Sequence, residues 1–170
     1  SQTEVLVRLR QSAKAVGGTP LNRPEDIEID PLTGHVLISL TNNKPKGDYF
    51  GSILKIEEDG GTYDAMTFQS ETYLAGGEET GFACPDNMAF DPRGNLWFTS
   101  DISGSNLNAA PYSSFGNNGL YVVPRSGEQA GQVIQIASAP VHAELTGPWF
   151  SPDGKTLFLS VQHPGEASTD

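Results

Sequence analysis

Short apolar runs, separated by turns rich in proline, glycine and aspartate, recur along this chain. In three places an apolar strand ends in Asp-Pro or Ser-Pro, a turn containing glycine follows, and a second apolar strand begins. The second strands of the three copies are Val36–Ser39, Leu96–Thr99 and Leu157–Ser160. Proline fixes φ in a turn and glycine accepts a positive φ, so each copy predicts a β-hairpin.

The three hairpins recur at a nearly constant interval. Their turn prolines are Pro31, Pro92 and Pro152, which are 61 and 60 residues apart. Each turn also carries an aspartate, which we interpret as a turn former: Asp30, Asp91 and Asp153. Two more strand candidates follow each of the first two hairpins, and about four strands per period is typical of a blade in a β-propeller. These candidates are Ser52–Ile56, Thr67–Leu74, Gly119–Val123 and Gln132–Ala137.

The period predicts an all-β fold with about two and a half four-stranded blades. We expect one partial propeller domain over residues 1–170, with blade-like units at about 24–83, 84–143 and 144–170, the last incomplete. Propellers close with roughly four to eight blades, and an open sheet edge leaves hydrogen bonds unmet. We therefore expect a remaining propeller segment or a partner chain to complete the structure.

Two further expectations concern the segment before the repeats and the aromatic residues within them. Val5–Leu9 is a strand candidate, and Arg10–Val16 is a candidate for a short helix that ends at a glycine pair. The aromatic residues at strand spacing are expected to pack in the core between blades. They are Phe90, Trp97, Phe98, Trp149, Phe150 and Phe158.

Composition narrows the function classes. The net charge is −11, which argues against a nucleic-acid partner because phosphate contacts need clustered Lys and Arg. No apolar run reaches 18 residues, so no transmembrane helix is predicted. The first residues lack the basic region of a signal peptide, although a precursor could have lost one. One cysteine excludes an intrachain disulfide.

Five short motifs occur in an order that resembles the PhoX-type alkaline phosphatases. Each motif alone is weak, and the five in order are fairly specific and cover nearly the whole chain from about Val5. They are Arg23–Glu28 (RPEDIE), Thr41–Asn43 (TNN), Cys84–Asn87 (CPDN), Glu144–Pro148 (ELTGP) and Gln162–Glu166 (QHPGE).

The resemblance implies a six-bladed propeller and a phosphomonoesterase that binds iron and calcium at the top of its central channel. It also implies a periplasmic or extracellular location. The family's glutamates in Arg-Pro-Glu and before Thr-Gly-Pro match Glu25 and Glu144, which makes both candidate metal ligands. The family's cysteine ligand to iron belongs to an earlier part of the chain, so Cys84, in a different motif, does not inherit that role.

The residues themselves support part of this interpretation. The inner strands of a propeller face one axis, so Glu25 and its counterpart Asp86 are expected to converge, and Glu144 lies two residues before the third counterpart, Thr146. Hard cations prefer carboxylate and amide oxygens, and Asn43 could add one, although turn chemistry explains it equally well. His142, two residues before Glu144, is a candidate to meet substrate phosphate as a cation.

Two other functions fit the pattern. Pro85-Asp86-Asn87 followed by Gly94-Asn95-Leu96-Trp97 also resembles the gluconolactonase-type propeller hydrolases, which hold a single divalent cation. A propeller can instead serve as a scaffold or assembly subunit without catalysis. No serine triad or phosphate-binding glycine loop is present, so the sequence assigns no catalytic nucleophile. We expect residues 1–170 alone to be inert as a phosphatase.

Overall fold

Antiparallel pairing between consecutive strands organises this protein. The computed structural model describes residues 2–165, in which ten strands form two four-stranded sheets and one two-stranded hairpin. The expected all-β fold is confirmed in part: the fold is mostly β, with antiparallel sheets and a few short helices. Glu166, the last residue of the Gln162–Glu166 motif, lies outside the described residues.

The strands of each sheet follow one another in chain order. Sheet 1 contains β1 (Pro24–Ile29), β2 (Val36–Leu40), β3 (Ser52–Glu58) and β4 (Phe68–Ala75). Sheet 2 contains β5 (Pro85–Phe90), β6 (Leu96–Ser100), β7 (Gly119–Val123) and β8 (Ile134–Ser138). The third hairpin consists of β9 (Glu144–Phe150) and β10 (Leu157–Gln162).

The turns between the paired strands form as their residue types predict. The side chains of Asp30, Asp91 and Asp153 each accept a hydrogen bond from the backbone N–H two residues further on, at 2.9, 2.9 and 3.2 Å. Gly94 has φ of +78°, a conformation that side chains other than glycine rarely adopt. The aspartates therefore fix the tight reversal that brings each pair of strands together.

An apolar cluster fills the space between sheets 1 and 2. The rings of Phe98 and Tyr121 stack with centroids 5.1 Å apart, and Phe82 meets Phe98 edge-on at 5.0 Å. Burying side chains of this size stabilises a fold by roughly 1.5–3 kcal/mol each. The buried members of the cluster are Leu37, Ile53, Phe82, Met88, Leu96, Phe98, Tyr121 and Val123.

Neighbouring sheets are also joined through the first strand of each. Asp26 Oδ2 in β1 accepts a hydrogen bond from the Met88 N–H in β5 at 2.7 Å. Asn87 Oδ1 in β5 accepts one from the Gly147 N–H in β9 at 2.9 Å. Asp26 and Asn87 are equivalent positions of the repeat, so a bond from a backbone N–H to this side chain, called here the inter-sheet clasp, occurs twice. The second donor lies one residue earlier in the repeat, because the counterpart of Met88 is Pro148, which has no N–H.

A salt bridge links sheets 1 and 2 at the other end of β1. One terminal nitrogen of Arg125 lies 3.0 and 2.9 Å from the two carboxylate oxygens of Asp30. Burial alone would raise the pKa of Asp30, but the backbone N–H of Leu32 and the Arg125 guanidinium outweigh it, so the pKa is lowered. Sheets 1 and 2 are therefore joined near both ends of β1, by the Asp26–Met88 hydrogen bond and by the Asp30–Arg125 salt bridge.

The segment before the repeats differs from the expected one. Helices α1 (Gln2–Val7) and α2 (Leu9–Ala15) occupy it, so the predicted strand at Val5–Leu9 is wrong, whereas the predicted helix over Arg10–Val16 overlaps α2. Within the described residues this segment pairs with no strand, and local backbone bonds such as Arg8 N–H to Glu4 O at 3.0 Å satisfy it instead. Neither helix is long and apolar enough to cross a membrane, nor is any other helix within residues 2–165.

The aromatic residues follow the expected packing only in part. Phe98 is fully buried, and Trp97 contacts Phe150 with ring centroids 5.4 Å apart. Trp149 and Phe158 are 67 % and 58 % exposed, so their assignment to the core is wrong for the described residues. They are partners across the two-stranded hairpin, and both side chains remain largely exposed there.

The inter-sheet clasp predicts a graded loss of stability at Asp26. Asp26→Ala removes the acceptor of the Met88 N–H, and losing a hydrogen bond to a charged group costs about 1.5–3 kcal/mol. Asp26→Asn keeps an oxygen at the same place, so we expect it to lose less than about half as much. Urea unfolding of the two variants beside the wild-type protein measures the difference. Equal losses in the two variants would show that the retained oxygen acceptor does not preserve the clasp.

Candidate functional site

Acidic side chains gather where the first strands of the sheets begin. Strands β1, β5 and β9 lie next to one another in that order. Glu25 and Asp86 are the second residues of β1 and β5, and Glu144 is the first residue of β9. The inter-sheet clasps hold these strand ends side by side, and the carboxylates of Glu25 and Asp101 lie close enough to Asp86 to act on its charge.

Arg23 connects the carboxylate of β1 to that of a neighbouring loop. Its terminal nitrogen lies 3.2 Å from Glu25 Oε1 and 3.7 Å from Asp101 Oδ2. Its backbone has φ of +51°, which is unusual for a residue with a side chain, and its carbonyl accepts the Thr41 N–H at 3.1 Å. The Arg23 side chain is 50 % exposed, which leaves part of the guanidinium accessible to a ligand.

Asp86 is the most perturbed acid of the group. Burial, as the largest cause, and the nearby carboxylates of Asp101 and Glu25 together raise its pKa to about 6. A carboxyl group shifted this way carries an unfavourable charge at neutral pH. A bound cation would relieve that repulsion, so the charge pattern fits a positively charged ligand.

Glu144 and His142 line one cleft of about 300 Å³ together with Asp101 and His163. Glu144 is only 12 % exposed, and its Oε1 lies 3.9 Å from His163 Nε2. His142 has φ of +62°, and its Nδ1 lies 3.3 Å from the Gly104 carbonyl oxygen. The cleft thus presents two carboxylates and two imidazoles to solvent.

Asn43 lies in a different cleft, beside Arg23 and Lys44. Its side-chain amide donates to Asn22 Oδ1 at 2.8 Å, and Asn22 in turn donates to Asp48 Oδ2 at 2.8 Å. Its backbone carbonyl accepts two turn hydrogen bonds, at 2.8 and 3.2 Å. These contacts are typical of a residue that stabilises a turn, here at the edge of the cleft that Asn43 lines.

The site residues that were predicted from the sequence therefore lie in two places, which Arg23 connects. Glu144 and His142 share a cleft, whereas Glu25 reaches the Asp101 side of that cleft through Arg23. Across residues 2–165, no three His, Cys, Asp or Glu side chains are close enough to hold a metal ion. The carboxylate oxygens suit a hard cation such as calcium, but the described residues supply only part of a ligand set.

Sequence reasoning did not select Arg23 or Asp101. Arg23 stands inside the Arg-Pro-Glu motif, so its place beside Glu25 was readable from the motif itself. Asp101 follows β6. It comes near Glu25 because β6 pairs with β5 and β5 lies beside β1, an arrangement that no short sequence motif predicts. Cys84 is buried, and burial raises the pKa of its thiol. Its sulfur lies near the Asn42 amide and the Tyr49 carbonyl, as expected of a small core residue.

Comparison with known proteins gives two matches that agree with each other. A family model described as alkaline phosphatase PhoX matches residues 1–165. Among solved structures, Pseudomonas fluorescens PhoX in complex with vanadate, a transition state analogue, matches with a TM-score of 0.88 and 30% sequence identity. That match covers 99% of this chain and 34% of the other, so the chain spans about a third of that protein's length. No curated protein matched.

The raised pKa of Asp86 predicts a pH-dependent gain from Asp86→Asn. A folded-state pKa of about 6 means that the wild type loses stability as the pH rises from about 4 to about 6. The shift corresponds to roughly 3 kcal/mol, reduced to about 1–2 kcal/mol because the group is partly exposed. Melting temperatures in a chelator should show the variant stabilised at pH 7.5 and nearly neutral at pH 4.5.

The matched control is Asp91→Asn. Burial alone would raise the pKa of Asp91, but hydrogen bonds from Asn95 and Trp97 outweigh it and lower the pKa. This substitution should therefore destabilise the protein by about the same amount at pH 7.5 and at pH 4.5, because stabilisation from a lowered pKa is lost only as the pH falls below the ordinary aspartate value. A similar pH response in both variants would contradict the assignment of Asp86 as the repelled acid.

Proposed function

This chain belongs to the alkaline phosphatase PhoX family, and on that basis we propose that it forms part of a metal-dependent phosphomonoesterase. The observation that carries the proposal is the match over residues 1–165, joined to a similar structure that holds vanadate. The gathering of carboxylates at one end of β1, β5 and β9 supports it, since phosphoryl transfer depends on fixed charge around the phosphate.

We propose that the two sheets and the third hairpin are consecutive blades of a β-propeller, six-bladed when complete. Support comes from the 61- and 60-residue spacing of the turns and from the clasps that repeat with it. The exposed Trp149 and Phe158 suit a further packing partner. A remaining propeller segment or a partner chain would cover them, and residues 1–170 alone would be inert.

Calcium and iron are the proposed metals, with Glu25 and Glu144 as carboxylate ligands and Asn43 as a weaker candidate. Metal ions in such a site neutralise phosphoryl oxygens and lower the pKa of a bound oxygen nucleophile. The charge repulsion around Asp86 supports a cation at this end of the strands. Further ligands would come from outside the described residues.

Arg23 and His142 are the proposed contacts to substrate. A guanidinium binds phosphate oxygens with paired N–H donors, and that of Arg23 is half exposed beside Glu25. His142 stands at the cleft that Glu144 lines, where a protonated imidazole would meet an anionic ligand. The substrate class is a phosphate monoester, and the proposed location is periplasmic or extracellular, as the family implies.

The ligand assignment predicts the effect of two substitutions in the complete protein. Glu25→Gln and Glu144→Gln should each lower the metal content and reduce phosphatase turnover by about 10- to 100-fold or more. Elemental analysis for calcium and iron and hydrolysis of p-nitrophenyl phosphate measure both effects. The control is Glu71→Gln on β4, whose carboxylate pairs with Lys55 on the outer part of sheet 1. Full metal content in both site variants would refute the ligand roles.

Substrate choice separates the proposed function from the two alternatives. We expect turnover of p-nitrophenyl phosphate, inhibition by vanadate, and no hydrolysis of a sugar lactone, because the site gathers charge for a phosphoryl group. Hydrolysis of the lactone alone would support a gluconolactonase-type enzyme. Neither activity, together with no stoichiometric metal in the complete protein, would support a scaffold.

A further inference from the structure

Asn118 occupies a position that the proposed chemistry does not use. It lies at the end of the 101–118 loop, directly before β7, and is only 2 % exposed. All of its side-chain polar atoms are engaged. Its Oδ1 accepts the Ile102 N–H at 2.6 Å and the Ser100 hydroxyl at 3.3 Å, and its Nδ2 donates to the carbonyls of Ile102 at 3.0 Å and Ala143 at 3.3 Å.

These contacts reach both sides of the cleft that Glu144 lines. Ile102 directly follows Asp101, and Ala143 directly precedes Glu144. Asn118 therefore bonds the neighbour of each carboxylate, one on the loop after β6 and the other at the entrance to β9. Across the described residues of this cleft, the amide joins a loop of sheet 2 to the third hairpin.

We propose that Asn118 is a positioning residue that fixes the placement of Asp101 relative to Glu144. The inference rests on the proposed phosphatase function, because its catalytic consequence requires that both carboxylates act on the same phosphate site. Catalysis by placed charge is sensitive to small displacements, so a residue that touches neither substrate nor metal can still control the rate.

The contact pattern explains why this position requires an amide. It needs one oxygen acceptor for the Ile102 N–H and two donors for two different carbonyls. Aspartate has the shape but no donor when ionised, and a buried carboxylate would face two carbonyl oxygens. Glutamine has the donors, but its extra methylene does not fit a site that is 2 % exposed.

The test compares Asn118→Asp with Asn117→Asp in the complete protein. Asn117 is the matched control because its amide also donates to a backbone carbonyl, that of Ala139 at 3.1 Å, away from both carboxylates. Amide hydrogen exchange reports the local effect. In Asn118→Asp we expect exchange at least about tenfold faster in both 101–107 and 142–147, because a buried group is left unpaired.

Kinetics give the second measurement. With p-nitrophenyl phosphate we expect kcat to fall at least about tenfold while KM changes less than about threefold. Misplaced carboxylates reduce the stabilisation of the transition state more than they reduce the binding of the substrate. Asn117→Asp should leave both constants within about twofold. If Asn118→Asp does not fold, Asn118→Ser, which is smaller and uncharged, takes its place with the same measurements.

Each outcome decides a different point. Faster exchange confined to the two segments, together with the fall in kcat, supports the positioning role. An active wild type with unchanged kcat in the variants, or exchange that rises uniformly over both sheets, overturns it. If the wild type is inactive but Asn118→Asp still speeds exchange in both segments, the phosphatase proposal is refuted. Only the structural role of Asn118, which joins the two segments, then remains.

Discussion

Two hydrogen bonds, each donated by a backbone N–H to a side-chain oxygen, hold the first strands of neighbouring sheets at one level. In both cases the acceptor directly follows an acidic residue of the strand, so Glu25 precedes Asp26 and Asp86 precedes Asn87. The bond that aligns the sheets therefore also aligns the carboxylates. A shift of one residue between β1 and β5 would break the clasp and move Glu25 and Asp86 to different levels.

That alignment has an electrostatic cost. Burial and two neighbouring carboxylates oppose the charge on Asp86, whereas the turn carboxylate of Asp91 gains hydrogen bonds that favour its charge. The same residue type is stabilising in the turns and destabilising where the strands converge. A carboxyl group whose ionised form is destabilised by its surroundings is typical of a site that binds a positively charged ligand.

The hairpins and the acidic residues could be predicted from sequence because both follow local rules. The turn aspartates act through the backbone two residues away. The 61-residue interval between the first two hairpins relates Glu25 to Asp86 without reference to distant contacts. Asp101 and Asn118 were missed, since their roles depend on which loop meets which strand. The exposed side of Trp149 was missed because a strand pattern gives the direction of a side chain but not whether a neighbour covers it.

The clasp also has a consequence for how such a repeat can change over time. One half of each bond is an Asp or Asn side chain, but the other half is a main-chain N–H, at Met88 and at Gly147. Every residue except proline provides that donor. The side chain at Met88 is therefore free to vary without a matching change at Asp26, whereas in β9 the Thr146 hydroxyl also donates to Asn87 Oδ1. Sheets joined through a main-chain donor can diverge in sequence one at a time, provided that the donor position does not become proline.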